Sequence, residues 1–207
     1  MKKKLIIIDL ILSIIVLFLC FIQINNYRIL KKVYEIGEKK IPKNCYIVFE
    51  YGPSDVTDKI ELKKVENSFI LKEYRNDKLE EIIIGIENEK PRCFIVKEEG
   101  KLEETMYEST DPFSRIYIMI NISPFYTLGN VLKQNLYRPI TEENGNYIIN
   151  IDSVKSYYSK DMEIIVKREH QNGDFTEIIK EYKTDCIKED DIKNEINYIL
   201  NTYNKEH

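Results

Sequence analysis

The sequence opens with an apolar segment that is long enough to cross a membrane. Between Leu5 and Ile24, 16 of 20 residues are Leu, Ile, Val or Phe, and three lysines precede them. As a helix rising 1.5 Å per residue, the segment is about 30 Å long, the hydrocarbon thickness of a bilayer. Its apolar side chains contribute about −7 kcal/mol to insertion, which outweighs a cost of about 3 kcal/mol for Asp9. The segment therefore predicts a transmembrane helix.

The same segment lacks the features of a cleaved signal peptide. Signal peptides have a shorter apolar core followed by small residues at the cleavage site, whereas no such pattern follows Leu17. Leu19 also occupies the place where a lipoprotein signal carries a small residue before its cysteine, here Cys20. We therefore expect an uncleaved single-pass anchor in the cell membrane, with a cleaved signal as the alternative. Because a very short tail usually stays inside, we expect the rest of the chain to be extracytoplasmic.

Charge is unevenly divided along the chain. The first 40 residues hold 8 basic and 3 acidic side chains, out of 31 and 35 in the whole sequence, so the remainder has a net charge of −9. An acidic outer region is a poor partner for nucleic acid. The sequence also contains neither Ala nor Trp and is rich in Ile, Lys and Asn, which is typical of AT-rich genomes such as those of low-GC Gram-positive bacteria. We expect the membrane, and no nucleic acid, as a partner.

Residues 45–107 show a strand-and-turn pattern. Turn residues such as Asn76-Asp77 and Glu99-Gly100 recur about every 10–14 residues, which is typical of an antiparallel meander. Alternation of Ile60 with Leu62 indicates one dry and one wet sheet face. The predicted strands are 45–51, 59–65, 68–75, 79–86, 92–97 and 102–107.

A helical pattern flanks the predicted strands at both ends of the chain. Residues 27–38 have one apolar stripe, and Gly37 and Pro42 should end this amphipathic helix. The alternative is that the segment continues the membrane helix into water. Near the carboxyl terminus, Asp190 and Asp191 are predicted caps of a last helix. Its apolar face comprises Ile192, Ile196, Ile199, Leu200 and Tyr203.

The stretch after the meander is the most apolar outside the anchor. Asp111-Pro112 and Ser123-Pro124 are each typical of an N-cap followed by proline at the first helical position. The predicted helices are 112–120 and 124–136. Ile116–Ile122 is equally compatible with a buried strand, because periodicity does not separate the two at this length.

Two Asn-Gly pairs predict hairpins. Asn144-Gly145 and Asn172-Gly173 suit type I′ turns, in which both central residues need positive φ. The predicted strand pairs are 137–143 with 147–151 and 162–169 with 175–182. The resulting register places opposite one another Ile140 and Ile149, Val166 and Ile179, and Arg168 and Glu177. Apolar residues then face apolar ones, and a positive charge faces a negative one.

The last predicted hairpin carries a family resemblance. Its segments are IIVKRE at 164–169, the Asn172-Gly173 turn, EYK at 181–183 and EDDI at 189–192. With the order of elements before it, this ending resembles the LolA/LolB-like lipoprotein-carrier superfamily. The resemblance implies an α+β fold after the anchor: a strongly curved antiparallel β-sheet, or half-barrel, with helices across its concave side. An uncleaved anchor would make such a protein fixed in the membrane rather than a shuttling carrier.

The predicted organisation has two parts. Residues 1–26 are the cytoplasmic tail and the anchor, and residues 27–207 form one extracytoplasmic LolA-like domain. The predicted segments of that domain are the amphipathic helix 27–38, the meander 45–107, the helical insertion 111–136, the hairpins 137–183 and the C-terminal helix 190–203.

The start of the chain carries a second resemblance. The run Leu5-Ile6-Ile7-Ile8-Asp9-Leu10 after a lysine leader is similar to type IV pilin-like proteins, which have an acidic residue at the fifth position of the mature helix. Lys4 stands where their processing glycine would be. This resemblance implies a pilin-like minor subunit as an alternative function.

Large apolar side chains of the helical insertion are the candidate ligand-binding residues. Flexible groups such as Met119 suit an alkyl chain. The candidate set is Phe113, Ile116, Met119, Ile120, Phe125, Tyr126 and Leu128. The sequence thus predicts a non-enzymatic binding protein for a lipid or hydrophobic peptide. The alternatives are that these residues are core, and that the protein is a sensor or regulator of a membrane-protein partner.

No catalytic or metal-binding motif stands out in the sequence. It contains no G-x-S-x-G, P-loop or H-E-x-x-H pattern. Acidic doublets such as Glu80-Glu81 are typical of solvated faces, and His170 is typical of a hairpin end. Cys45, Cys93 and Cys186 allow at most one disulfide, and their spacing does not match a zinc site. We expect no cofactor, no metal and no catalytic residue.

Overall fold

The computed structural model describes residues 2–53, 58–87, 89–107, 111–122, 126–170 and 173–206. The helices in these ranges are α1 Lys2–Ile36, α2 Ser114–Ile120, α3 Leu128–Gln134 and α4 Glu189–Glu206. The strands are β1 Asn44–Gly52, β2 Asp58–Val65, β3 Ser68–Arg75, β4 Lys78–Gly85, β5 Arg92–Val96, β6 Leu102–Thr105, β7 Thr141–Glu143, β8 Asn146–Ile151, β9 Val154–Ser159, β10 Ile164–His170 and β11 Thr176–Thr184. A short 3-10 turn covers Glu98–Gly100. The predicted α+β class is confirmed.

Helix α1 is one unbroken helix of 35 residues. The amphipathic stripe predicted over 27–38 is therefore a continuation of the membrane helix, the alternative given above, because nothing between the apolar run and that stripe interrupts the backbone hydrogen bonds. The helix ends as predicted at Gly37, whose φ of +76° is unfavourable for residues with a side chain. Its length and apolar composition suffice to span a membrane.

The chain divides into two compact units. The first, here called the helix unit, combines Met1–Lys39 with Ile120–Gln171, and the second, the meander unit, combines Lys40–Met119 with Asn172–His207. The predicted organisation into residues 1–26, the tail and anchor, and residues 27–207, one domain, stays a prediction.

The meander unit contains seven antiparallel strands in the order β6-β5-β4-β3-β2-β1-β11. All six strands predicted between 45 and 107 are present, with bounds shifted by at most two residues. Helix α4 lies on this sheet through its predicted apolar face. The buried core comprises Val65, Ile70, Ile82, Ile84, Phe94, Leu102, Ile192, Ile196 and Ile199, with Leu200 and Tyr203 packed against it. Asp190 and Asp191 lie in the first turn of α4 rather than before it, because the amide of Asp191 already bonds the carbonyl of Lys188.

In the helix unit, β7, β8, β9 and β10 pair in sequence order. Asn144 and Gly145 have φ of +49° and +78°, so the predicted type I′ geometry is confirmed. The pairing of Thr141 with Ile148 has the predicted register, although β7 starts one residue after Ile140. Strand β9 was not predicted. It follows a second tight turn at Asp152-Ser153, where both φ values are positive.

The two short helices begin later than the proline signals predict. The Asp111 carboxylate accepts a hydrogen bond from the Phe113 amide at 2.9 Å, and α2 starts only at Ser114. The strand alternative for this segment is wrong up to Ile120, which is helical. Helix α3 starts at Leu128 and not at 124, because Thr127 caps it; the predicted cap at Ser123 lies outside the described residues.

Strands β10 and β11 match the last predicted strand pair within two residues at their ends. Asn172 lies outside the described residues, so the pairings of Val166 with Ile179 and of Arg168 with Glu177 stay predictions. All four cysteines are free thiols; Cys45 and Cys93 are buried, whereas Cys20 and Cys186 are exposed.

Candidate ligand-binding cavity

A cavity of about 180 Å³ lies inside the helix unit. It is bounded by the last turn of α1, by the segment that follows α2, and by the end of β9 with the turn after it. Its apolar and aromatic wall comprises Val33, Tyr34, Ile120, Ile122 and Tyr126. Its polar wall comprises Glu38, Asn121, Tyr158 and Glu163. The lining thus combines one large apolar surface with a few polar groups, as small-molecule sites do.

The end of α1 is fixed at the cavity by one buried amide. Gly37 turns the chain out of the helix, with its amide bonded to the Tyr34 carbonyl at 3.1 Å. The Asn121 side chain then accepts a hydrogen bond from the Lys39 amide at 2.7 Å and donates to the Lys39 carbonyl at 3.0 Å. Asn121 is only 4% exposed. This two-way clamp holds two distant segments side by side, and the cavity lies between them.

An ion pair links the same two regions. The Lys39 ammonium pairs with the Glu163 carboxylate, and both side chains are partly exposed. Glu163 sits in a turn with φ of +57°, a conformation that costs free energy for a residue with a Cβ atom. The turn is held by a hydrogen bond from the Glu163 amide to the Ser159 carbonyl at 2.9 Å.

Two tyrosines, Tyr158 buried and Tyr34 partly buried, line the cavity with different hydrogen bonding. The Tyr34 hydroxyl donates to the Tyr126 carbonyl at 2.8 Å. The Tyr158 hydroxyl is buried, yet finds no hydrogen-bond partner among the described residues. The other such side-chain oxygen is Asp58 Oδ1, which directly follows residues 54–57, outside the described ranges. A buried hydroxyl without a partner costs about 1–3 kcal/mol, so Tyr158 calls for an explanation that Tyr34 does not.

Both hydroxyls are protonated at neutral pH, as an ordinary phenol is, and burial extends this to alkaline pH. Burial raises the pKa of Tyr34 to about 12, and burial together with the nearby Glu163 carboxylate raises the pKa of Tyr158 to about 12. A protonated phenol is a weak nucleophile and a weak base at pH 7, but it both donates and accepts hydrogen bonds. Tyr158 thus brings to the cavity lining a hydrogen-bonding group that the described residues leave without a partner, beside an aromatic wall suited to an apolar body.

The size of the cavity limits the occupant. An engineered apolar cavity of about 150 Å³ binds benzene, so about 180 Å³ holds a small ring or a short alkyl segment. It is smaller than the roughly 300–1,000 Å³ of sites for drug-sized ligands. A lipid or a peptide could place only one end of itself in this volume.

The predicted ligand-binding residues fall in several places. Ile120 and Tyr126 line the cavity, and Leu128 packs on the core of the helix unit. On the meander side, Phe113 lies edge-to-face on Phe69 with ring centroids 4.7 Å apart. Ile116 and Met119 are fully buried, and Phe125 lies outside the described residues. Of the six candidates that the structure describes, two therefore line the cavity.

Sequence reasoning missed the polar residues of the cavity. Tyr158 and Glu163 belong to β9 and the turn that ends it, and β9 was not predicted. The available signal was the run Val154, Ser156 and Tyr158, which alternates with polar residues directly after Asp152-Ser153. Serine and tyrosine give a weak alternation, which explains why the strand was missed. The Asn121 clamp depends on a contact between segments 82 residues apart and leaves no local signal.

Comparison of the sequence with known proteins found no relative of this protein. No protein-family model matches the chain, and no curated protein matches it. In the ranges that the structure describes, no group of three or more His, Cys, Asp or Glu side chains is arranged to hold a metal ion.

Proposed function

We propose that this protein is a single-pass, membrane-anchored binding protein whose folded units lie outside the cytoplasm. Its cavity would hold one end of a lipid or hydrophobic peptide, or a small amphipathic molecule. The observation that carries the proposal is the cavity with its aromatic wall, one of whose lining residues, Tyr158, has a buried hydroxyl without a partner among the described residues. The function proposed is binding without catalysis.

The anchor part of the proposal is supported by the surface of α1. Its large apolar side chains from Ile6 to Phe18 are 48–69% exposed, which is unfavourable in water and favourable in a bilayer. The short lysine-rich tail supports the orientation. The element order, with a long helix, a meander, two short helices and further hairpins, supports the LolA/LolB-like half-barrel as the architecture.

The ligand test uses two tyrosines of the same cavity. Detergent-solubilised full-length protein is titrated with dansyl-undecanoic acid, and its native mass is recorded after extraction from membranes. Tyr158→Phe should weaken probe binding about tenfold, because a ligand hydrogen bond to a buried hydroxyl is lost. Tyr34→Phe is the matched control, since its hydroxyl is already bonded to protein and should change affinity little.

Two outcomes would contradict the ligand proposal. One is a clean apo mass together with no probe binding by the wild type. The other is equal loss of affinity in both tyrosine variants, which would point to a general effect on packing. In either case the cavity residues would be core, and a sensor or regulator of a membrane-protein partner becomes the better description.

One observation favours the pilin-like alternative. Helix α1 is a single helix whose first half is exposed and whose second half, with Leu30 and Val33, is buried in the helix unit. A long helix of this kind suits a subunit that packs with copies of itself. The same mass measurement separates the two functions, because a minor pilin subunit would be recovered as an assembly and a binding protein as a monomer.

A further inference from the structure

The part of the helix unit that follows α2 first packs against α1 near the end of the apolar run. From Ile6 to Phe21 no side chain is buried, and Ile22 is the first that is, at 6% exposed. The stretch without a buried side chain thus spans 16 residues, or about 24 Å, with Leu19 partly buried. The hydrocarbon core of a bilayer is about 30 Å thick. A membrane that accepts the whole run from Leu5 to Ile24 must therefore reach the level at which the helix unit begins.

One short segment is bound to α1 at that level. The Gln23 side-chain amide donates to the carbonyl oxygens of Asn135 and Leu136 at 3.1 and 2.8 Å. The fully buried Asn26 amide donates to those of Asn135 and Arg138 at 3.0 and 3.1 Å. These four hydrogen bonds fix the backbone of residues 135–138 beside a single turn of α1. Side chains of that segment therefore lie level with the end of the apolar run.

The side chains presented there are apolar and aromatic. An interfacial patch, defined as Ile24, Tyr27, Leu136 and Tyr137, is 39–72% exposed although all four residues are large. Beside it lies a shallow groove lined by Gln23, Ile24, Tyr27, Arg28 and Leu132. Tyrosines concentrate at the boundary between hydrocarbon and water, and arginine extends from there toward lipid phosphates. Both the composition of the patch and its level along α1 therefore suit the membrane–water boundary.

We propose that the interfacial patch is immersed in the headgroup region of the bilayer that α1 crosses. The part of the helix unit outside α1 then rests on the membrane surface. Phospholipid is the occupant of the patch, with Tyr27 and Tyr137 at the level of the ester groups and Arg28 near phosphate. The patch is continuous with the exposed apolar surface of α1, which singles out lipid over a soluble partner. The inference rests on the proposed single-pass anchor.

The absence of tryptophan from the sequence makes a clean test available. Three full-length single-tryptophan variants are reconstituted in phosphatidylcholine and phosphatidylglycerol vesicles, with and without acyl chains brominated near the carbonyl end. Tyr137→Trp reports the patch, and Phe18→Trp reports the membrane-spanning part of α1. Met162→Trp is the matched control in the same unit. Met162 is 49% exposed and directly precedes Glu163, which pairs with Lys39. Lys39 follows the end of α1, and that end lies about 15 Å along the helix from Asn26. Met162 therefore lies well away from the level of the patch.

The expected result is a graded loss of emission. Tryptophan at 137 should emit at shorter wavelength than tryptophan at 162 and lose most of its emission to bromolipid, whereas tryptophan at 162 should lose almost none. Leu136→Trp should behave like Tyr137→Trp, which guards against a local effect of one substitution. Melting curves of the Tyr137→Trp and Met162→Trp variants should match that of the wild type, since both side chains are exposed.

The outcomes distinguish this inference from the anchor itself. Quenching at 18 without quenching at 137 and 136 overturns the inference and leaves the anchor standing; the patch would then belong to a protein partner or a second copy. Equal quenching at 137 and 162 also overturns it, because the patch would not be special. Without quenching at 18, the anchor fails and the inference fails with it.

Discussion

Two polar groups, Glu195 in the meander unit and Tyr158 in the helix unit, differ in the partners that the fold supplies. In the meander unit, the partly buried Glu195 carboxylate accepts hydrogen bonds from Lys63 and Lys72 at 2.8 and 2.7 Å. In the helix unit, the Tyr158 hydroxyl is more deeply buried and has no partner among the described residues. A polar group with its partners supplied by the fold stabilises the fold. A polar group left unpartnered lowers stability, and because Tyr158 also lines the cavity, we propose that the function lies in the helix unit.

The largest expected effect tests whether the meander unit is a closed structural core. Phe94 is fully buried and lies edge-to-face on Tyr203 with ring centroids 5.3 Å apart. Phe94→Ala should lower the free energy of unfolding by about 3–5 kcal/mol, because it removes a large side chain and leaves a void. Urea denaturation of the solubilised full-length protein measures this. A loss below about 1 kcal/mol would mean that this core is loosely packed, against the contrast between the units.

A smaller effect is expected at Glu195. Burial raises the pKa of this carboxyl, but the hydrogen bonds from Lys63 and Lys72 outweigh it, and the pKa lies below its ordinary value of 4.5. The stabilisation is therefore present above pH 4.5 and is lost as the pH falls below it through the lowered pKa. Glu195→Gln should cost about 1.5–3 kcal/mol at pH 7, the range for hydrogen bonds to charged groups. Wild type and variant should converge at acid pH in denaturant titrations; a gap that stays constant with pH would contradict the ion-pair explanation.

The sequence predicts the meander unit better than the helix unit, for a physical reason. In the meander unit, pairs such as Ile60 and Leu62 face the core at a period of two, and α4 shows its apolar stripe at a period near 3.6. Both periods are local properties of the chain. The order of strands within the meander also follows the chain from β1 to β6, so neighbours in sequence are neighbours in space.

The helix unit depends on contacts that local patterns do not contain. Asn26 looks like a helix breaker after the apolar run, but it lies inside α1 because its side chain bonds residues 109–114 positions away. Strand β9 buries Ser156 and Tyr158, which are residue types that usually signal a wet face. The apolar part of the candidate cavity could be named in Ile120 and Tyr126. Its polar part could not, because Asn121 and Tyr158 acquire their roles only through tertiary contacts.

The smallest expected effect at neutral pH separates the two cavity tyrosines. Tyr34→Phe removes a made hydrogen bond and leaves the Tyr126 carbonyl without it, so it should cost about 1 kcal/mol in urea denaturation of the apo protein. Tyr158→Phe removes a hydroxyl that has no protein partner, so the free energy of unfolding should stay equal or rise slightly. If Tyr158→Phe destabilises as much as Tyr34→Phe, its hydroxyl is bonded after all, and the contrast between the units disappears.

The pH dependence of the same two variants sharpens this prediction. The pKa of each tyrosine is about 12 in the folded protein, against an ordinary value of 10.0. Between pH 10 and 12 the unfolded chain therefore releases a proton that the folded protein retains, and stability falls as the pH rises. Each substitution removes one such group, so both variants should lose less stability than the wild type from pH 9 to 11, by up to about 1.4 kcal/mol per pH unit above 10. The variants should thus agree in their alkaline slope and differ only in their offset at pH 7. A difference in offset without a change in slope would mean that the Tyr158 hydroxyl is open to water rather than buried, and the cavity would then offer a ligand little beyond its apolar wall.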